Sequence, residues 1–130
     1  MPLTLTGYYA APLALFMIAL GAHVTMLRAS AGISIMDGGN PALAERIRRH
    51  GNFIEYVPMA LLLMALAEAA GTAHIWLHAA GVLLIAGRCL HAIGLRHDKP
   101  ATAPRIVGSL ATNLAMLVAT GAIVIRAFAG

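Results

Sequence analysis

This chain has little charge. Asp, Glu, Lys and Arg make up 11% of its 130 residues, where soluble domains carry about a quarter. Aromatic residues are sparse at 5%. The single cysteine, Cys89, excludes an internal disulfide and, inside an apolar segment, reads as a small packing residue. No cysteine or serine site stands out as a protein nucleophile, and no internal repeat, low-complexity tract or second domain is visible. What remains is hydrophobic: 60% of the chain, with a mean hydropathy of +0.81. Four stretches, 8–27, 48–70, 75–95 and 106–128, reach the roughly 20 residues that a membrane-spanning helix needs. The first is too long for the core of a signal peptide and has no basic segment before it, so it reads as a retained helix. The expected architecture is all-α, a single four-helix transmembrane domain over residues 1–130 in a lipid bilayer.

A net charge of +4 and a pI near 10.0 would suggest nucleic acid in a soluble protein. Here the cations are confined to particular connections, and no nucleic-acid partner is expected. Arg28, Arg46, Arg48 and Arg49 lie in or beside the first connection, and Arg96, Lys99 and Arg105 in or beside the third. The second has no Lys or Arg. The positive-inside rule then places connections one and three in the cytoplasm and both termini outside. Tyr8, Tyr9, Trp76 and Phe128 fall at the outer interface, where aromatic rings are favoured.

Local signals organise the helices. Turn formers crowd Asp37 to Pro41, and Asp37 reads as a turn residue. Asn40 before Pro41, with Glu45 in the first turn, predicts that the second helix starts near Pro41. Pro58 removes a backbone hydrogen bond to Ile54 and predicts a bend beside a polar pocket. Gly81, Gly87 and Gly94 on the third helix, and Gly108, Ser109, Thr112, Ala115 and Ala119 on the fourth, predict close helix packing, with Asn113 able to bond a neighbour.

The chemistry concentrates on the second helix. At about 100° per residue, Arg48, Asn52 and Glu55 fall within roughly 60° of one another, and Tyr56 widens the arc to roughly 100°. This stripe climbs about 11 Å, which suits a small zwitterion better than a lone metal ion. Polar groups are expensive in an apolar segment, so they are expected to hold something. Glu55 needs a partner; Arg48, two turns away, reads as too distant, leaving a ligand amine or an arginine of another helix such as Arg88. Arg88 and His91 sit one turn apart on the third helix and should face protein or a water-filled cleft, His91 equally well as a packing residue. Arg105 opens the fourth helix at the same membrane face, where a cation would stabilise a thiolate or bind lipid phosphate. His74 and His78 have metal-gripping spacing, but with Glu68 alone nearby no metal site is expected. His23, His50 and His91 lack supporting spacing for haem.

The motif Arg48-x-x-x-Asn52-x-x-Glu55-Tyr56-x-Pro58, followed by Gly87-Arg88-x-x-His91-x-x-Gly94, resembles the MAPEG family, membrane-associated proteins in eicosanoid and glutathione metabolism. The likeness spans the whole chain, and the stretch from Arg48 to Pro58 is similar to bacterial members. It implies a homotrimer of four-helix subunits in the bacterial inner membrane, with glutathione in a cytoplasm-facing cleft between subunits. Arg48, Asn52, Glu55 and Tyr56 would bind the tripeptide, Glu55 meeting its amine and the cations its carboxylates. Arg88 and His91 would line the same cleft. Arg28 resembles a family arginine near the carboxylates, and Arg105 the catalytic arginine that stabilises the glutathione thiolate.

Two positions depart from that pattern. Leu95 stands where several eicosanoid-forming relatives have tyrosine, and Ile106 follows Arg105 where prostaglandin E synthases have serine. A broader glutathione transferase or peroxidase acting on a lipophilic small molecule is therefore expected, or a protein that binds glutathione without rapid turnover. Two alternatives stay open: a small oligomeric transporter in which Glu55 exchanges protons against a cationic substrate, and a helper that packs against another membrane protein.

Overall fold

A computed structural model describes residues 2–129, with the side chain of residue 129 outside the description. The chain forms four helices: α1 (Thr4–Ala31), α2 (Pro41–Ala69), α3 (His74–Gly94) and α4 (Ala103–Ala129). All four are long and apolar enough to cross a membrane. Each runs close to its expected span, and α1, α2 and α4 extend beyond it by polar or amphipathic turns that hydropathy alone does not count as membrane. Successive helices run in opposite directions through short connections, so the α1–α2 and α3–α4 connections share one end of the bundle and the α2–α3 connection lies at the other.

The helix ends follow local chemistry. Asn40 caps α2, its side-chain oxygen accepting from the backbone N–H of Ala42 at 3.0 Å and Leu43 at 3.2 Å, with Pro41 in the first turn as expected. Asp37 is a turn residue: Oδ1 accepts from Gly39 N at 2.9 Å. Gly32 closes α1 at φ 68°, a left-handed conformation that costs glycine least. α2 runs through Pro58 as one continuous helix.

The start of α1 is finished in another way. Leu3 offers no side-chain cap, and the orphan N–H groups of Leu5 and Thr6 donate instead to the two oxygens of Glu68, near the end of α2, at 2.8 and 2.7 Å. A carboxylate at a helix N-terminus also meets the positive end of the helix dipole. Glu68, weighed in the sequence as a spare metal ligand, therefore ties α1 to α2.

The core lies along the bundle axis. Leu13 and Leu20 of α1, Phe53, Val57, Ala60 and Met64 of α2, Ala80 and Leu84 of α3, and Ala115 and Ala119 of α4 are buried together. Phe16 and Phe53 pack edge to face at 5.2 Å. The small residues divide their work. A Cβ on Gly87 would stand 2.9 Å from the Gly108 carbonyl oxygen, and one on Gly94 would meet the backbone of Pro104 and Arg105, so α3 and α4 touch backbone to backbone. Gly81 instead makes room for the Tyr9 ring of α1. Tyr9 Oη in turn lies 2.8 Å from His78 Nδ1. Two expectations are corrected. Asn113 is exposed, and the adjacent Thr112, fully buried, makes the contact across to α3. Cys89 is exposed rather than packed inside, because Arg88 and Gly87 occupy the inward arc of that turn.

Removing the Glu68 cap is expected to cost about 1–2 kcal/mol. Thermal unfolding in detergent should therefore show a lower midpoint for Glu68→Ala, with Glu68→Gln in between because an amide has one acceptor oxygen where the carboxylate has two.

Candidate functional site

The expected residues gather at the end that holds the first and third connections, but in two distinct arrangements. On α2 the core face is set by Phe53, Val57, Ala60, Met64 and Ala67. Arg48 and Glu55, almost two whole turns apart, start from the opposite face. Their side chains are half exposed, 58% and 49%. They meet directly: Nη1 donates to Oε1 at 2.8 Å and Nη2 to Oε2 at 3.2 Å. The expectation that Arg48 lies too far from Glu55 is thus corrected. Two long side chains leaning along one face span the two turns between their Cα atoms, and the planar guanidinium grips the carboxylate with both of its ends. The expected alternative of a Glu55–Arg88 pair is not formed either.

Arg88 has different partners. It is 2% exposed, and its Nη1 donates to Asn52 Oδ1 of α2 at 2.7 Å while Nε donates to Thr112 Oγ1 of α4 at 2.9 Å. Its guanidinium carbon stands 5.7 Å from the centre of the Tyr56 ring, close enough for a cation–π attraction. The Thr112 hydroxyl in turn donates to the Gly108 carbonyl at 2.9 Å. Every one of these partners is neutral. A buried cation without a counter-ion is costly, and this one lies beside the Arg48–Glu55 stripe. His91, one turn on, is 3% exposed, with its backbone against Gly108. Thr112 was named from the sequence only as a packing residue. The signal for its role is the Gly108-x-x-x-Thr112 spacing, which sets a hydroxyl one turn beyond the point where α3 and α4 touch.

Arg28 and Arg105 brace the two connections. Arg28 Nη1 donates to the Met36 carbonyl at 2.5 Å, and Met36 has φ 55°, a left-handed conformation uncommon for a side chain of its size. Arg105 Nη1 donates to the Pro100 carbonyl at 2.6 Å. A cavity of about 400 Å³ opens between the first connection and α2, lined by Met36, Asp37, Ala44, Ile47, Arg48 and Gly51. Arg48 is therefore within reach of the cavity, and Arg28 shapes its wall through Met36.

A second cluster, not foreseen from the sequence, anchors the third connection to α2. Glu45 pairs with Arg49 at 2.6 Å and accepts from the backbone N–H of His97 at 2.9 Å, with His97 Nδ1 2.6 Å away. Arg49 Nη2 also donates to the Leu95 carbonyl at 2.9 Å, at the end of α3. Glu45 was read as a helix-start residue, and nothing in the local sequence indicates a partner 52 residues away. Within the connection, Arg96 grips Asp98 at 3.0 Å through two nitrogens. That hydrogen bond holds the Asp98 carboxyl below its ordinary range. Its small contribution is present at neutral pH and lost as the pH falls through that lowered value.

Four apolar helices, a cationic end and a buried arginine linking three helices define a membrane protein with a polar intramembrane site. The chain belongs to the MAPEG family, whose model matches residues 6–125. It is similar to the inner membrane protein YecN of Escherichia coli K12, 36% identical over 92 residues that cover 71% of this chain and 70% of that protein. YecN of Escherichia coli O6:H1 strain CFT073 matches to the same extent.

Thr112→Val keeps the shape and removes an acceptor from a buried cation, so it is expected to cost about 1.5–3 kcal/mol. A thermal shift in detergent measures this, and the same change at exposed Asn113 should leave the midpoint within about 0.5 kcal/mol equivalent of wild type.

Proposed function

We propose that this protein is a glutathione-binding member of its family that activates the thiol toward lipophilic electrophiles or hydroperoxides. The observation that carries this reading is Arg88, a buried guanidinium held only by neutral partners next to a half-exposed Arg48–Glu55 pair. An anionic ligand supplies the charge that Arg88 lacks. A zwitterionic one also exchanges with the pair, its carboxylates taking Arg48 and its ammonium taking Glu55. Glutathione carries two carboxylates and one amine, which suits this set. Arg28, Asn52, Tyr56 and His91 would complete the surroundings, and the arginines already bonded to carbonyls would need little reordering.

The face of α2 supports an assembled site. Arg48 and Glu55 continue along one helical line into Met59, Leu62 and Leu66, each more than half exposed. An ion pair on that line would be costly against lipid, so a neighbouring subunit beside it fits, and the homotrimer implied by the family resemblance is the assembly we propose. The inner-membrane placement of YecN supports the same location here, with the cationic end in the cytoplasm by the positive-inside rule.

In this reading the thiol of bound glutathione loses its proton to water and the thiolate lies near Arg105. A cation there favours the ionised form, about 1.4 kcal/mol for each unit by which the thiol pKa falls. The sulfur then attacks an electrophilic carbon, forming the C–S bond as the leaving group departs, or attacks the distal oxygen of a hydroperoxide, forming the S–O bond of a sulfenic acid as the O–O bond breaks and the alkoxide leaves, taking a proton from water to become the alcohol. The protein contributes positioning and charge stabilisation and no nucleophile of its own.

Titration calorimetry of glutathione into detergent-solubilised protein tests the proposal. Saturable binding is expected, weakened about 10- to 100-fold in Arg48→Ala and in Glu55→Ala, the loss associated with a charge-assisted hydrogen bond. Absence of binding by folded wild-type protein would sink it.

A further inference from the structure

The opposite end of the bundle holds a site that the glutathione reading does not use. A cavity of about 350 Å³ opens between α3 and α4 beside the α2–α3 connection. Its size lies within the range of small-ligand pockets, about 300–1,000 Å³. Leu117, Gly121 and Ile125 give it an apolar wall along α4, Trp76 closes it from α3, and Thr72 and Arg126 stand at its rim. Thr72 is 6% exposed, and its hydroxyl is shielded from solvent with no hydrogen-bond partner.

Among the described residues, Arg126 is the only Lys or Arg side chain at this end. Its Nε donates to the Ala70 carbonyl at 3.1 Å, and its Nη2 packs over Gly71, where a Cβ would lie 2.9 Å away. Among the described residues it forms no salt bridge. Among the described residues the one acidic side chain near this end, Glu68, is occupied by the backbone of α1. The guanidinium is thus fixed in place by backbone, and no acidic side chain among the described residues pairs with it. Trp76 and Arg126 also lie in the end turns of their helices, the depth at which aromatic and cationic side chains meet lipid headgroups.

We propose that this cavity binds an anionic phospholipid. Its phosphoryl group would sit on Arg126 beside the Thr72 hydroxyl, and its acyl chain would run down the groove along Leu117, Gly121 and Ile125. Charge complementarity selects the anionic headgroup, and the open side of the cavity between two membrane-crossing helices admits a chain from the bilayer. The inference stands apart from the glutathione reading, because it concerns the other end of the molecule and none of the same residues.

Trp76 is the only tryptophan in the chain, so its fluorescence reports on this cavity alone. Delipidated protein in detergent would be titrated with phosphatidylglycerol brominated on the acyl chain and, separately, with phosphatidylcholine carrying the same chains. Saturable quenching is expected, with phosphatidylglycerol about five-fold the tighter of the two, the selectivity that one interfacial cation provides. Arg126→Gln, which keeps a donor for Ala70, should abolish the preference, and Arg126→Lys should retain most of it. Gly121→Leu should weaken quenching by both lipids, since a Cβ at Gly121 meets nothing within 4 Å and the added side chain can fill the groove without strain. Equal quenching by both lipids, unchanged in Arg126→Gln, would overturn the proposal in favour of bulk bilayer contact. Protection of Trp76 from both lipids would overturn it in favour of a protein surface, such as a second copy, covering this face.

Discussion

The arrangement of the loop end depends on one buried guanidinium. Arg88 reaches from α3 to Asn52 on α2 and Thr112 on α4, and it can do so only because Gly87 and Gly108 bring the α3 and α4 backbones together at the same level. A cation there must be held from several sides, since each N–H left without an acceptor adds its own desolvation cost. The small residues and the arginine are thus parts of one constraint. The glycines create the close approach, and the arginine fixes the rotation of α2 and α4 about it.

That rotation decides which residues of α2 look inward. With Phe53, Val57, Ala60 and Met64 turned to the core, Asn52 and Tyr56 come to the edge beside Arg88, while Arg48 and Glu55 face away from the bundle. One polar stripe is therefore split in two, a buried part that joins helices and an exposed part that is free to exchange partners. The connections around it are tied down by backbone carbonyls: Met36 to Arg28, Pro100 to Arg105, Leu95 to Arg49. Arg49 is also paired with Glu45, but Arg28 and Arg105, spent on carbonyls alone, keep their full charge, so this bracing leaves the end of the bundle electrostatically ready for an anion.

The two ends solve the same problem differently. At the loop end, arginines satisfy carbonyls and hold excess positive charge. At the other, Glu68 satisfies the first N–H groups of α1, and Arg126 rests on the α2–α3 connection. In both places a charged side chain completes a helix end or turn that its own neighbours leave open, which matters more near lipid than in water because no solvent stands ready to take the unpaired group.

Much of the fold was legible in the residues. Four apolar runs gave four helices, Asn40 and Pro41 marked the start of α2, Asp37 its preceding turn, and the glycines of α3 with the small residues of α4 marked the tightest packing. These are local properties: hydropathy over about 20 residues, capping chemistry and side-chain size act within a turn or two of where they are written. The polar stripe was legible for the same reason, since helical periodicity places Arg48, Asn52, Glu55 and Tyr56 on one arc. Which member pairs with which was not. Arg48 takes Glu55, Arg88 takes Asn52 and Thr112, Glu45 takes His97, and Glu68 takes the start of α1. Most of these partners are dozens of residues apart, and each charged group had several candidates of suitable chemistry. Spacing fixes direction around one helix, whereas the choice among partners follows from the rotation and depth of neighbouring helices, which only the packed bundle sets.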